Sequence, residues 1–185
     1  MKVYEIIHES NDYQTLVDDE DSTADENSLY SVGVGKVFDG DWIVPKLRIY
    51  NPKSKKPNFF SYISGSTVVD EVTCEKLQTI FEFSGELFPI SCNEFNGYLL
   101  NILECVNCLD QKNCEFEKDD EGDILWVEKF AFQTTMLPES SLFKIPEAIS
   151  SIFTIEGMGI RDEFKEVYEG NKMKGLKFEL IWSDE

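Results

Sequence analysis

Five cysteines and a single histidine are the side chains of this sequence best equipped for chemistry. Cys105-Val106-Asn107-Cys108 is a C-x-x-C pair, with Cys92 before it and Cys114 after it. A structural zinc site takes four ligands, usually as two close-spaced pairs. No second pair follows here, and His8 lies far upstream. A thioredoxin-like redox pair sits at a helix N-terminus after a strand, where the thiolate is stabilised, whereas this one ends an apolar run. The cysteines therefore read as free thiols packing as small hydrophobes, and no metal is expected. Nucleophilic catalysis needs a base beside a Ser or Cys. His8, in a strand-like first segment among acidic residues, reads as structural.

Two acidic runs invite a cation. The first holds Asp18, Asp19, Glu20, Asp21, Asp25 and Glu26, and the second Glu115, Glu117, Asp119, Asp120, Glu121 and Asp123. An EF-hand loop requires a carboxylate at its twelfth position. Counting from Asp18 that position is Leu29, and from Asp119 it is Phe130. Both runs read as solvated loops. Gly33-Val34-Gly35-Lys36 lacks the spacing of a phosphate-binding loop and the third glycine of a dinucleotide fingerprint, so it reads as a turn or bulge. Among 36 acids some pair always stands at hydrolase spacing, so paired-carboxylate catalysis gains no weight from their abundance. No cofactor and no catalytic residue are expected, and the chain does not read as an enzyme.

The charge points instead to a partner. Thirty-six Asp and Glu against 17 Lys and Arg leave a net charge of −19 on 185 residues. Such a field repels nucleic acid and anionic membranes, and attracts basic proteins. At 42% hydrophobic and 13% aromatic residues the chain is too apolar for disorder. No apolar run approaches the roughly 20 residues of a membrane span. Met1 to His8 reads as a strand, not a signal peptide. With free thiols this places the protein in the cytoplasm.

The elements that must position these groups follow from pattern. Asp70 stands at an N-cap position before Cys74, Leu77, Ile80 and Phe81, predicting a helix over 71–82 that stops at Gly85. Leu47 to Tyr50, Phe88 to Ile90 and Ile152 to Ile155 read as extended. Tyr98 to Val106 suits a buried strand or a short helix equally. Asp119 to Asp123 is a charged turn, leading into a strand from Ile124 to Thr135 with Trp126, Phe130 and Phe132 as core. Ile160, Phe164, Val167 and Tyr168 share a helical face that ends at Gly170-Asn171. Leu176 to Trp182 alternates, with the even positions inward. The loop 51–57, with two prolines and three lysines, is the expected boundary between a β-rich lobe at 1–58 and an α+β core at 59–185, unless 1–185 is one continuous domain. The fold class is α+β: mixed, mainly antiparallel sheets with two or three short helices.

The order of landmarks carries a resemblance. Met1 to Ile6, Trp42-x-x-Pro45, Lys56-Pro-Asn-Phe-Phe60 and Gly65 to Asp70 come first. Gly85-Glu-Leu-Phe-Pro-Ile90, Tyr98 to Leu103, Cys108-Leu-Asp110, Ser141-Leu-Phe-Lys-Ile-Pro146 and Gly175-Leu-x-Phe178-x-x-Ile181-Trp182 follow. Taken together they resemble immunity-protein family eleven of bacterial polymorphic toxin systems, typified by a myxobacterial member. Asn58 departs from the pattern, which has an acidic residue before the aromatic pair. The resemblance implies a cytoplasmic antidote that binds a cognate toxin and neutralises it by stoichiometric blockade. A basic toxin surface would complement the two acidic runs, with Trp42, Phe59 and Phe60 as exposed-loop anchors or, alternatively, as core. Competing readings are a small acidic adaptor or scaffold, and a carboxylate-dependent hydrolase.

Overall fold

A computed structural model describes residues 1–22, 29, 31–159 and 162–184. Its strands are β1 (Lys2–His8), β2 (Leu16–Asp18), β3 (Lys46–Ile49), β4 (Phe59–Phe60), β5 (Thr67–Asp70), β6 (Gly85–Cys92), β7 (Asn96–Ile102), β8 (Glu115–Lys118), β9 (Ile124–Lys129), β10 (Leu142–Phe143), β11 (Ile152–Glu156) and β12 (Leu176–Ser183). Among the described residues they are accompanied by the α-helices α1 (Glu71–Ser84) and α2 (Phe164–Gly170). One sheet runs β10-β11-β1-β12, a second runs β2-β3-β6-β7-β5-β4, and β8 and β9 form a separate hairpin. Neighbouring strands are antiparallel except β3 with β6. The fold is α+β with mainly antiparallel sheets.

Residues 1–58 do not form a lobe. β1 lies between β11 and β12, while β2 and β3 join the second sheet against β6. Every strand of this stretch thus belongs to a sheet completed by residues beyond 58. The segment 51–57 is a loop, as expected, but it divides nothing.

Local signals placed α1. The Asp70 side chain accepts the Thr73 amide at 2.9 Å, satisfying one of the first-turn donors that lack a helical partner. Gly85 stops the helix for a different reason from the usual left-handed cap. Its φ of 174° is extended, and it is already the first residue of β6. A Cβ there would overlap the carbonyl oxygen of Asn101 on β7, so the residue is glycine because two backbones cross closely.

Strands β4, β5 and β7 of the second sheet are buried on both faces, which explains why they do not alternate. Phe59, Val69 and Leu100 pack with α1 and α2 on one side. Their neighbours Phe60, Val68 and Leu99 pack on the other, with Leu16, Leu47 and Ile90. The ambiguous run after Tyr98 is accordingly strand β7. Phe59 and Phe60 are 1% and 0% exposed, so they are core and offer a partner nothing. Contiguous aromatic residues resemble a surface anchor only until the strand is known to have two covered faces.

β12 departs from simple alternation as well. Val3 pairs with Trp182 but Tyr4 pairs with Leu180, so a bulge leaves Ile181 without an opposite residue. Leu176 and Phe178 face the helix-side core, whereas Ile181 and Trp182 pack against the cluster around Phe143 and Phe153. The bulge thus turns Trp182 to the face opposite Phe178, whereas Leu180, expected inside, precedes the bulge and is 51% exposed on this edge strand.

Asn101 is the polar counterpart of this core. Fully buried, it accepts the Gly33 amide at 3.0 Å and donates to the Lys36 carbonyl at 2.9 Å and to Glu86 Oε2 at 3.1 Å. Asn101→Ala strands several of these groups and should cost about 3 kcal/mol. Asp70→Ala removes one cap and should cost about 1 kcal/mol. Urea unfolding of both variants tests this ranking, and equal losses would refute it.

Candidate functional site

Part of the first acidic run and Trp42 come together at the end of β6. Asp19 donates its amide to the Lys46 carbonyl at 2.9 Å and accepts from the Asn93 side chain at 3.2 Å. Asp18 accepts the Tyr62 hydroxyl at 2.9 Å. Burial, and then this bond, push the Tyr62 phenol well above its ordinary range. The Trp42 indole donates to the Pro89 carbonyl at 2.9 Å and packs on Phe88, 4.6 Å between ring centroids. Trp42 itself is half-buried, while Ile43 and Val44 beside it are 46% and 43% exposed. The corner therefore joins exposed aliphatic side chains to Asp18, Asp19, Glu20 and Asp21. Asp25 and Glu26 lie outside the described residues.

The second acidic run forms the tip of the β8–β9 hairpin. Asp119 Oδ1 accepts the amides of Glu121 and Asp123 at 3.0 and 2.9 Å, and Gly122 takes the left-handed φ of 91° that closes the turn. Asp119, Asp120, Glu121 and Asp123 are exposed, as are Glu115 and Glu117. Glu115 pairs with Lys129 at 3.0 Å. Among the described residues no ion pair engages Asp18 to Asp21 or Asp119 to Asp123. The two runs are held by different cores. The first hangs from the cluster of Leu16 and Phe60, the second from that of Val127 and Phe132.

Trp126 is not core, contrary to the pattern. It is 54% exposed, and Leu125 is 53%. The hairpin has two register shifts, one leaving Leu125 without an opposite residue and one leaving Glu128 so. Only Val127 and Phe116 reach the interior. A readable signal exists: four consecutive apolar residues, Ile124 to Val127, in a two-stranded ribbon cannot all be covered. Across a groove from them stands the turn 146–151, contributing Pro146, Glu147, Ala148 and Ile149.

The residues suited to catalysis are occupied otherwise. His8 shares a 2.9 Å hydrogen bond with the Thr67 hydroxyl, and burial of its ring lowers its pKa to about 4, leaving a feeble base at neutral pH. Burial raises every cysteine thiol, Cys108 to about 12, so none is a ready thiolate. Among the described residues no group of three or more His, Cys, Asp or Glu is arranged to hold a metal ion. At the glycine turn the Gly33 amide already donates to Asn101, so it is not free to cradle a phosphate.

Lys144 escaped the sequence reading. It is fully buried, donating from Nζ to the carbonyls of Ile149 at 2.7 Å and Ser151 at 3.3 Å, and burial lowers its pKa to about 8. The surrounding Leu142-Phe143-x-Ile145 was the available signal, because a lysine inside an apolar run is carried inward with it. Its contacts hold the turn 146–151 from beneath.

No protein-family model matches the chain, and no curated protein matches it.

The histidine makes a test. With a pKa near 4 in the fold and near 6.5 unfolded, His8 binds a proton only in the unfolded chain between those values. Its contribution to stability is thus complete above about pH 6.5 and is lost as the pH falls towards 4. His8→Gln keeps a polar partner for Thr67 and should lose about 2 kcal/mol less than the parent between pH 6.5 and 4. Parallel pH profiles in denaturant titrations would contradict the assignment.

Proposed function

We propose that this protein works by occupying another protein: an immunity protein that binds a cognate bacterial toxin in the cytoplasm and blocks it stoichiometrically. The observation that carries this reading is the pairing, at two corners, of exposed apolar side chains with carboxylates that no ion pair among the described residues engages. Carboxylates of this kind draw a basic partner in and speed encounter, while aromatic and aliphatic side chains supply the buried contact. Partner identity is inferred from the family resemblance, and it agrees with the charge. A toxin that acts on nucleic acid needs a basic cleft, and an acidic protein seated there excludes the substrate.

Both corners stand on sheet-anchored segments. Such a surface is largely formed before binding, which lowers the ordering cost of association.

The test is genetic and biophysical. Deleting this gene alone should harm a cell that carries an active toxin gene beside it, and the two products should form a one-to-one complex. Raising salt from about 0.05 to 0.5 M should slow association at least tenfold if the acids steer it. Harmless deletion beside an active toxin would end the proposal, as would catalytic turnover of a metabolite by the purified chain alone. A complex with some other protein and no protective effect would favour the adaptor reading.

A further inference from the structure

We propose that the groove between the β8–β9 hairpin and the turn 146–151 receives a segment of the partner protein bearing an arginine or lysine beside an apolar residue, the cation on Glu147 and the apolar side chain on Trp126. The inference rests on the binding role proposed above and assigns it a primary contact.

Three observations converge on the groove. Its hairpin wall is apolar and open, with Leu125 and Trp126 each more than half exposed. Its opposite wall carries Glu147, whose Oε1 accepts the Gln111 amide at 2.7 Å while Oε2, shielded from water, has no hydrogen-bond donor. Oε2 is closed to an occupant of the groove, so the cation is met by Oε1, whose pair with Gln111 is exposed and which can accept a second donor; a guanidinium or ammonium is the strongest kind. The surroundings favour the same sign. Between Glu115 and Lys129 the chain holds seven carboxylates against two lysines, and Lys129 is already paired with Glu115. Glu5 also lines the groove, accepting the Ser151 hydroxyl at 2.6 Å.

The chemistry of the walls selects the occupant. An aromatic face beside carboxylates suits a cation with an apolar stem, because the indole and the carboxylates attract it together. A second copy of this chain is a poor fit, since it would set one acidic hairpin against another. Lys144 does not oppose the cation from the groove side. Its amine lies beneath the turn, bonded to the carbonyls of Ile149 and Ser151, and stiffens the wall that carries Glu147.

The test uses the full chain and an eight-residue peptide of alternating leucine and arginine, blocked at both ends, with leucine–glutamate and serine–arginine peptides as controls. Binding is read by anisotropy of the labelled peptide and by the Trp126 indole signal in NMR, assigned with Trp126→Phe. The leucine–arginine peptide should shift that signal, and Trp126→Ala and Glu147→Gln should each weaken binding at least fivefold with melting unchanged. The serine–arginine peptide should bind more weakly and the leucine–glutamate peptide not at all. Neutralising Asp18 to Asp21 should leave the affinity within twofold. Equal affinity for the parent and both groove variants overturns the inference, as does no peptide binding, or a dimer of the chain that Trp126→Ala dissociates. In each of those cases a surviving, protective toxin complex shows that the functional reading stands and only the groove assignment has failed.

Discussion

Phe59, Phe81, Phe164, Tyr168 and Phe178 form one joined aromatic cluster, and the rest of the molecule is arranged around it. Phe59 meets Phe81, Phe164 and Tyr168 at centroid distances of 6.4, 5.6 and 5.5 Å, and Tyr168 meets Phe178 at 5.1 Å. These rings come from β4, α1, α2 and β12, two pairs of elements from well-separated parts of the chain. Phe59, Phe81, Phe164 and Tyr168 are buried where these elements meet, with Phe178 packed against them, so the cluster ties the second sheet, α1, α2 and the last strand together. β12 in turn pairs with β1, and β1 with β11, so the four-stranded sheet is joined to the same cluster.

Polar groups inside this frame fasten the segments that reach the surface. Asn101 binds the turn at 33–36 to β7, and Lys144 binds the turn at 146–151 to the strand that carries it. Both side chains are wholly buried and answered by backbone groups, the condition under which interior polarity is tolerated. Each turn borders a candidate contact face. The interior thus sets the shape of the exterior, and a binding surface held this way needs little reorganisation.

The charge of the molecule has two consequences that pull apart. Clustered carboxylates repel each other and weaken the folded state, yet they give the surface a field of the sign that attracts cationic groups. The fold limits the repulsion by setting one run on the edge of the second sheet and the other on a projecting hairpin. Apolar anchors stand beside each, so long-range attraction and short-range contact are available at the same places. In the reading favoured here, the acids govern how quickly the partner arrives and the apolar side chains govern how long it stays.

Features governed by near neighbours were legible from the chain alone. Asp70 capping α1, the turn at Asp119 to Asp123, the extended β1 and β11, and the α+β class all follow from spacing, capping and turn chemistry over a few residues. Features governed by distant partners were not. Whether Phe59 and Phe60 are anchors or core depends on a sheet covered on both sides, whose second cover comes partly from residues 164–176. Trp126 changed from expected core to surface because a bulge at Glu128 sets it out of phase with Phe130, and a bulge at Ile181 turns Trp182 away from the face of Phe178; a bulge is a property of two paired strands. The apparent boundary at 51–57 vanished because β1 and β3 take partners far along the chain. Composition had already settled that this molecule would be strongly acidic. Where that charge meets exposed apolar surface was decided by strand pairing, since pairing chooses which side of each strand is left uncovered.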